Sequence, residues 1–268
     1  MTATFRNNDR LHRHAVVASV SQRLIGKAAQ IGLLAQETPV AIVFNGTTAA
    51  VMMASPMDLR DFAYGFALSE GFVHDLTEIE EFEQITHDNG NEARFWLTDS
   101  AKDRIETRRR IMTGVVGCGL CGVDSLEQAI RPVPALTSPA PAFDTDEILS
   151  APDLLRAYQA LHDATRAVHA AAFMLPGQEV IVAREDIGRH NALDKLAGAL
   201  VHQGIDPAQG AIVITSRVSV DLVQKSVTIG CPMLVSVSAP TARAVDLAKN
   251  VGMTLIANVK RGGGVCYS

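Results

Sequence analysis

The strongest constraint on the fold is an alternation of short apolar runs and helical patterns in the C-terminal part of the chain. The apolar runs have the length and composition of buried strands, and they occupy residues 168–174, 180–183, 211–215, 233–237 and 254–257. Helical patterns lie between the later runs, at residues 189–202, 219–229 and 241–251. This alternation predicts an α/β layer with at least three parallel strands.

Two β-hairpins are predicted in the N-terminal half, each from a turn sequence between two apolar runs. The first turn is Asn45-Gly46, and both of its residues tolerate the positive φ that a tight hairpin requires. The second turn contains Gly90 after an Asp-Asn pair. The paired runs are residues 40–44 with 48–54 and residues 82–87 with 93–97.

Two helices are predicted beside these hairpins. Ser55 has the properties of an N-cap and Pro56 those of a first helical residue, and apolar side chains follow at helical spacing up to Glu70. A charged helix is expected from about Ala101 to the three arginines at 108–110. Strands and helices in this order predict an α+β unit.

A proline-rich stretch separates the two halves. Four prolines between residues 132 and 141 are incompatible with a helix or a central strand. We therefore predict a flexible tail over residues 1–14, a smaller α+β domain over 15–131, a linker over 132–145 and an α/β domain over 146–268.

Composition narrows the class of protein. The 268-residue chain has a net charge of −5, which is atypical of a general nucleic-acid binder. Residues 165–268 nevertheless carry ten Lys and Arg against seven Asp and Glu, so an anionic ligand is expected there. The longest uncharged run near the N-terminus, residues 38–57, contains Pro39 and Asn45, which argues against a membrane span. The first fourteen residues are polar, which is atypical of a signal peptide. From these three observations we expect a cytoplasmic protein with neither membrane nor nucleic-acid partners.

The four cysteines include one close pair, Cys118 and Cys121, in the sequence Gly-Cys-Gly-Leu-Cys-Gly. Four are too few for a disulfide framework in a chain of this size, so metal binding or thiol chemistry is the expected use. The glycines make the backbone accessible and the arginines at 108–110 would favour a thiolate, which together indicate a nucleophile. Half of a zinc site and a thioredoxin-like redox pair remain alternatives.

Ionisable side chains are concentrated at the predicted carboxyl ends of strands, where α/β sheets bind ligands. Segment 184–195 contains seven ionisable or imidazole side chains, and this density favours a binding site. Arg217 follows another strand, and Lys260-Arg261 precede three glycines that would let the backbone approach a pyrophosphate. A helix cap at Asp186 and a solvated C-terminal tail remain the alternatives.

These motifs resemble those of the FdhD family, the formate dehydrogenase accessory sulfurtransferases. The resemblance is carried by residues 117–122, the string Glu-Asp-Ile-Gly-Arg-His-Asn-Ala-Leu-Asp-Lys at 185–195, residues 223–225, residues 238–241 and the basic, glycine-rich C-terminus. It implies an α/β protein of two domains, the C-terminal one cytidine-deaminase-like with three layers, that forms a homodimer. It also implies a sulfurtransferase that receives sulfur from a cysteine desulfurase as a cysteine persulfide.

The resemblance further implies that the sulfur passes to the molybdenum bis(molybdopterin guanine dinucleotide) cofactor, which a guanine nucleotide could mimic, before insertion into the formate dehydrogenase catalytic subunit. By this correspondence Cys118 carries the persulfide and Cys121 assists or resolves it. The cofactor-binding residues implied are Asn258, Val259, Lys260, Arg261, Gly262 and Gly263, and no metal ligand is implied. Arg189, Arg217 and Lys260 or Arg261 are expected to neutralise the phosphate groups.

Two hypotheses of other classes compete with this one. A zinc-dependent nucleoside deaminase would need a glutamate two residues after its first ligand and a later Pro-Cys-x-x-Cys segment. Here His169 is followed by two alanines, and the cysteine pair precedes it. A non-catalytic chaperone of the molybdenum cofactor would need no reactive cysteine.

Overall fold

The computed structural model describes residues 16–22, 30–102, 105 and 132–268. The N-terminal half forms two sheets and one long helix. Strands β1 and β2 pair as an antiparallel hairpin, while β3 to β6 form a four-stranded sheet in the order β4-β3-β6-β5. The elements are β1 (Val17–Gln22), β2 (Gln30–Ala35), β3 (Thr38–Phe44), β4 (Thr47–Ala54), α1 (Leu59–Ser69), β5 (Ile79–His87) and β6 (Gly90–Leu97).

Both predicted hairpins are confirmed. β3 pairs antiparallel with β4, and Asn45 and Gly46 turn the chain with φ of 48° and 78°. Such left-handed conformations suit asparagine and glycine. β5 pairs antiparallel with β6, and both strands begin three residues earlier than predicted. β1 and β2 were not predicted.

The start of α1 differs from the prediction. The helix begins at Leu59 with Asp58 as its N-cap residue, instead of beginning after Ser55. Ser55 donates its backbone N–H to Asp186 Oδ2 at 2.9 Å, and its hydroxyl accepts from the N–H of Ile187 at 3.1 Å. The backbone N–H and the hydroxyl of Ser55 therefore bond to Asp186 and Ile187 instead of capping a helix.

The C-terminal half is built on one six-stranded sheet in the order β12-β11-β10-β9-β7-β8. Strands β9, β10 and β11 are parallel, which confirms the predicted layer, while β7 runs antiparallel to β8 and β9, and β12 antiparallel to β11. The elements are α2 (Thr145–Arg156), α3 (Ala160–Thr165), β7 (His169–Met174), β8 (Val180–Asp186), α4 (Arg189–His202), β9 (Ala211–Ile214), α5 (Val220–Thr228), β10 (Met233–Ser236), α6 (Ala242–Val251), β11 (Thr254–Lys260) and β12 (Gly263–Cys266).

Helices cover both faces of this sheet. Side chains alternate along β7, so Ala171 and Phe173 join the core under α4, α5 and α6, while Ala170 and Ala172 join the core under α2. The result is a three-layer arrangement. Helices α2 and α3 and strand β12 were not predicted from the sequence. None of the helices in the described ranges combines the length and apolar character that a membrane crossing requires.

The two halves meet where α1 lies against α4. A Cβ atom placed on Gly65 of α1 would lie 1.6 Å from the carbonyl oxygen of Asp194, and one on Gly198 of α4 would lie 1.9 Å from that of Asp61. Only glycine allows two helix backbones to approach so closely. These two glycines therefore fix the distance between α1 and α4.

The proline-rich stretch packs along the C-terminal half. Residues 132–144 contain neither helix nor strand, and the N–H of Leu136 donates to the carbonyl of Val251 at 2.9 Å. Val133 and Leu136 pack against the core under α4 to α6. The domain boundaries given above stay a prediction.

Candidate functional site

The predicted catalytic residues, Cys118 and Cys121, lie outside the described residues, as do the arginines at 108–110. The other two cysteines, Cys231 and Cys266, lie within the described residues.

Cys231 and Cys266 are in contrasting environments. Cys231 is fully buried, and burial raises the pKa of its thiol to about 12, so it stays protonated and unreactive at neutral pH. Cys266 is exposed on β12, where its thiol donates to the carbonyl of Ser268 at 3.2 Å. Of these two, only Cys266 is accessible to a sulfur donor.

A buried ion pair lies at the centre of segment 185–195. Lys195 Nζ lies 2.6 Å from Asp186 Oδ2, and both side chains are completely buried. The ammonium group also donates to the carbonyl of Ser55 at 2.9 Å. Asp186 Oδ1 accepts from the N–H of Gly188 at 2.8 Å and from Asn191 Nδ2 at 3.0 Å. Because these contacts tie α4 and the end of β8 to Ser55 in the N-terminal half, the pair acts as a structural connection.

A second buried group of charges includes Asp194, the residue that precedes Lys195 in α4. Lys225 Nζ donates to both oxygens of Asp194, at 2.8 and 3.0 Å, and to Ser69 Oγ at 3.0 Å, and it lies 2.7 Å from Glu70 Oε1. Burial by itself would lower the pKa of Lys225, but Asp194 and Glu70 raise it above its ordinary value. Lys225 is therefore an ammonium ion that joins α5 to α1 and α4.

These contacts give four of the seven ionisable or imidazole side chains of segment 184–195 a structural role. Asp186, Asp194 and Lys195 are buried in internal pairs, and Arg184 donates to Asp61 Oδ2 at 2.7 Å. The density of charge serves the junction between the two halves, because carboxylates and ammonium groups can be buried there only as pairs. Sequence patterning alone did not indicate their partners, which are Ser55 directly after β4 and Asp61 and Ser69 on α1.

Glu185 holds the start of α3. Its Oε2 accepts from the N–H of Leu161 and its Oε1 from the N–H of His162, both at 2.8 Å. Burial raises the pKa of Glu185 to about 7, although these two hydrogen bonds oppose the shift. This carboxyl group should therefore titrate near neutral pH.

We expect Glu185→Gln to remove part of the pH dependence of stability. The folded protein keeps a proton on Glu185 between pH 4.5 and about 7 that the unfolded chain releases, so stability falls as the pH rises through this interval. The wild type should lose on the order of 2–3 kcal/mol more than Glu185→Gln between about pH 5 and about pH 8. Denaturant unfolding at both values measures this, with Glu179→Gln, an exposed site, as the control. Identical pH profiles for wild type and Glu185→Gln would contradict the assignment.

The implied cofactor-binding residues, 258–263, form the end of β11 and the turn into β12. Asn258 has a φ of 55°, its side-chain amide donates to the hydroxyl of Tyr267 at 3.0 Å, and its N–H donates to the carbonyl of Ser238. Val259 points into the core under α2, whereas Lys260 is exposed. Residues 258–260 therefore offer backbone groups and the Lys260 ammonium to a ligand.

The turn after Lys260 is open. Arg261 is 87% exposed and its Nε donates to Asp153 Oδ2 at 2.6 Å. Side-chain atoms added at Gly262 or Gly263 would meet no described atom within 4 Å. The backbone of this turn is accessible, as a large ligand would require.

Two of the residues expected to bind phosphate, Arg189 and Arg261, follow strands that are far apart in the sheet. Arg261 pairs with α2, which covers one face of the sheet, whereas Arg189 begins α4, which covers the other. β8 and β11 are separated by three strands, which corresponds to roughly 19 Å at the usual strand spacing. The strands that precede Arg189 and Arg261 are therefore too far apart for both side chains to contact one phosphate group.

Comparisons with known proteins agree with these motifs. The model of the FdhD/NarQ family matches residues 35–268. A sulfur carrier protein FdhD from Agrobacterium fabrum is 48% identical over 225 residues, which are 84% of this chain and 83% of that protein. Its counterpart from Bordetella parapertussis is 44% identical over 262 residues, 96% and 93% of the two chains.

The fold also has a solved counterpart. The crystal structure of a proposed formate dehydrogenase accessory protein from Desulfotalea psychrophila matches with a TM-score of 0.72 at 23% identity, over 94% of this chain and 97% of that one. The family model covers most of the sequence, and the two relatives cover more than four fifths of it. The chain therefore belongs to the FdhD/NarQ family.

Proposed function

We propose that this chain is a cytoplasmic sulfur carrier that accepts sulfur from a cysteine desulfurase and transfers it to the molybdenum bis(molybdopterin guanine dinucleotide) cofactor for formate dehydrogenase. The observation that carries this proposal is the Cys118-Gly-Leu-Cys121 motif in a chain 48% identical to a protein named sulfur carrier protein FdhD. The link to formate dehydrogenase rests on the resemblance of the motifs to those of its accessory sulfurtransferases.

The first step is a thiol exchange at Cys118. Its thiolate attacks the outer sulfur of the desulfurase persulfide, a new sulfur–sulfur bond forms on Cys118, and the desulfurase cysteine leaves as a thiolate. Cys121 then assists or resolves the persulfide. Cys231 is unsuited to this step because its thiol is buried with a pKa of about 12.

The molybdenum cofactor is the substrate of the second step, and we assign its binding to residues 258–263. Three features support this assignment: the exposed ammonium of Lys260, the open backbone at Gly262 and Gly263, and the exposed pair of Arg261 with Asp153. Exposed ion pairs contribute little to stability, so Arg261 can exchange Asp153 for a phosphate group.

The rival deaminase hypothesis is not favoured by any described residue. His169, the zinc-ligand candidate considered above, is the first residue of β7, and Ala171 stands where the catalytic glutamate would be needed. The cytidine-deaminase-like character of the C-terminal half and the homodimer stay predictions.

Sulfur loading provides the direct test. The protein is incubated with a cysteine desulfurase and cysteine, and its mass is measured without reductant. We expect the wild type and Cys266→Ala to gain the mass of one sulfur atom and Cys118→Ala to gain none. A sulfur adduct retained by Cys118→Ala would exclude it as the carrier.

A second experiment tests the transfer of sulfur to the molybdenum cofactor. The double variant Lys260→Gln, Arg261→Gln should still take up sulfur but restore little formate dehydrogenase activity in cells that lack the wild-type protein. Full restoration would show that these two charges do not hold the substrate.

A further inference from the structure

The four-stranded sheet of the N-terminal half carries exposed apolar side chains on the face that points away from α1. Val51 and Met53 of β4 are 53% and 45% exposed. Trp96, the only tryptophan in the sequence, lies on β6 between Phe95 and Leu97, which both belong to the core under α1, so its side chain points to the opposite face. None of Val51, Met53 and Trp96 belongs to a core formed by the described residues. Apolar surface is therefore presented outward here.

The strand register brings this apolar surface next to charged side chains. Ala41 of β3 pairs with Val51 on one side and with Glu92 on the other, so β4 and β6 present these residues on one face, about 10 Å apart. Arg94 Nε of β6 donates to Glu92 Oε2 at 2.7 Å, and the guanidinium lies 3.9 Å from Glu83 Oε2 of β5. This surface, the outer face of the sheet, is formed by Val51, Met53, Glu83, Glu92, Arg94 and Trp96.

The size and the residue types of the outer face are those of a protein interface. Four strands cover a width of about 20 Å, and eight residues of strand cover a length of about 26 Å, which gives on the order of 500 Å². One side of a small protein interface buries about this area, whereas small molecules bind in clefts. Tryptophan, arginine and methionine, which are enriched in interfaces, lie together on this face. The outer face therefore fits a protein partner.

The charge of the outer face determines the kind of partner. The carboxylates of Glu81, Glu83 and Glu92 outnumber the guanidinium of Arg94 on this side of β5 and β6. A partner that carries lysine or arginine around an apolar centre complements this arrangement. A second copy of the chain would instead bring a second set of glutamates into the interface, where like charges repel. The outer face therefore favours a basic partner over self-association.

The outer face lies beside the start of the segment that leads to the cysteine pair. Trp96 is the last residue but one of β6, and Ile105 belongs to the same core as that strand. Cys118 follows Ile105 by thirteen residues, a length that spans at most about 45 Å when extended. A protein bound at the outer face therefore lies within the distance that this length of chain can span.

We propose that the outer face binds the protein that donates sulfur to Cys118, and that this donor, the cysteine desulfurase, meets it with apolar side chains flanked by lysine or arginine. The inference rests on the proposed function, because it assigns a surface to the partner that the sulfur-carrier role requires. The desulfurase packs on Val51, Met53 and Trp96, while the glutamates orient its basic groups.

Calorimetric titration with a cysteine desulfurase tests this surface. The double variant Val51→Lys, Met53→Lys places two charges on the apolar part, and Glu83→Lys reverses one acidic charge. All three side chains are exposed, so both variants should fold, which thermal unfolding verifies. We expect the double variant to weaken desulfurase binding at least about tenfold and Glu83→Lys to weaken it about threefold or more.

Two control variants carry matching substitutions at other sites. Val265→Lys changes a valine of β12 that is 46% exposed, and Glu179→Lys reverses an exposed charge in the C-terminal half. Both should bind the desulfurase as the wild type does. Equal affinity of the wild type and the double variant, a similar loss in Val265→Lys, or no binding to the wild type would overturn the proposal. Sedimentation of the double variant then shows whether the outer face binds a second copy instead.

Sulfur loading with two donors separates this proposal from the role of Cys118. Inorganic polysulfide needs no docking: the Cys118 thiolate attacks one of its sulfur atoms, a sulfur–sulfur bond forms on Cys118 and a shorter polysulfide leaves. In a Cys266→Ala background, which removes the exposed thiol of β12, we expect the double variant to load slowly with limiting desulfurase and as fast as the unmodified surface with polysulfide. Equally fast loading from the desulfurase would contradict the docking role. Sulfur uptake by Cys118→Ala from the desulfurase would contradict the proposed function and leave the binding measurement unaffected.

Discussion

Lys195→Met is expected to lower the free energy of unfolding by about 3–5 kcal/mol, because it leaves a buried carboxylate without its cation. The two charged atoms, Lys195 Nζ and Asp186 Oδ2, lie 2.6 Å apart, and water reaches neither side chain. The substitution also removes the hydrogen bond to the carbonyl of Ser55 on the other half of the molecule. Denaturant unfolding at neutral pH measures the loss.

Two further variants make this prediction specific. Lys102→Met removes an equivalent charge from an exposed pair with Asp99 and should change stability little. Combining Lys195→Met with Asp186→Asn should recover part of the loss, since the uncompensated charge is then gone. If Lys102→Met and Lys195→Met destabilise the protein equally, the buried pair does not stabilise the contact between the two halves.

Gly65→Ala and Gly198→Ala are each expected to destabilise the protein by about 3 kcal/mol or more, since a methyl group at either position overlaps a backbone carbonyl. The added carbon would lie 1.6 Å from the oxygen of Asp194 or 1.9 Å from that of Asp61, and neither oxygen can rotate away. Helices α1 and α4 must then move apart, which also strains the contacts of Lys225 with Glu70 and Asp194.

Thermal unfolding compares these variants with Gly262→Ala, where the added methyl group meets no described atom within 4 Å. Alanine is favoured over glycine inside a helix by about 1 kcal/mol, so an unobstructed substitution in α1 or α4 would be stabilising. A raised melting temperature for Gly65→Ala would therefore mean that the helices do not approach as closely as described.

Elements whose signals are local were predictable. The Asn45-Gly46 turn fixes its hairpin through its own backbone preferences, and the runs that became β9, β10 and β11 are apolar enough to identify buried parallel strands. The sequence did not predict helix α2 although Asp144 and Glu147 form a capping box, because the prolines before it are typical of a linker and Pro152 lies within the helix itself.

The candidate site was predictable only in part. Lys260 and Arg261 precede an accessible turn, as expected from the glycines. The separation of Arg189 from Arg261 depends on the strand order and on which face of the sheet each helix covers. The spacing of residues along the sequence predicts neither of these. Ser55 has the residue type of a helix cap, yet Asp186 and Ile187, more than 130 positions away, take its hydrogen bonds.

The sequence by itself determined the family, the hairpins, the parallel layer and the cysteine pair, since these depend on residue types at fixed short spacing. Only the tertiary structure decided that Asp186, Asp194 and Lys195 connect the two halves. The physical reason is that a buried charge acquires its role from the group that neutralises it. For Lys195 that group lies nine residues away, but for Lys225 it lies on helices far apart in the chain.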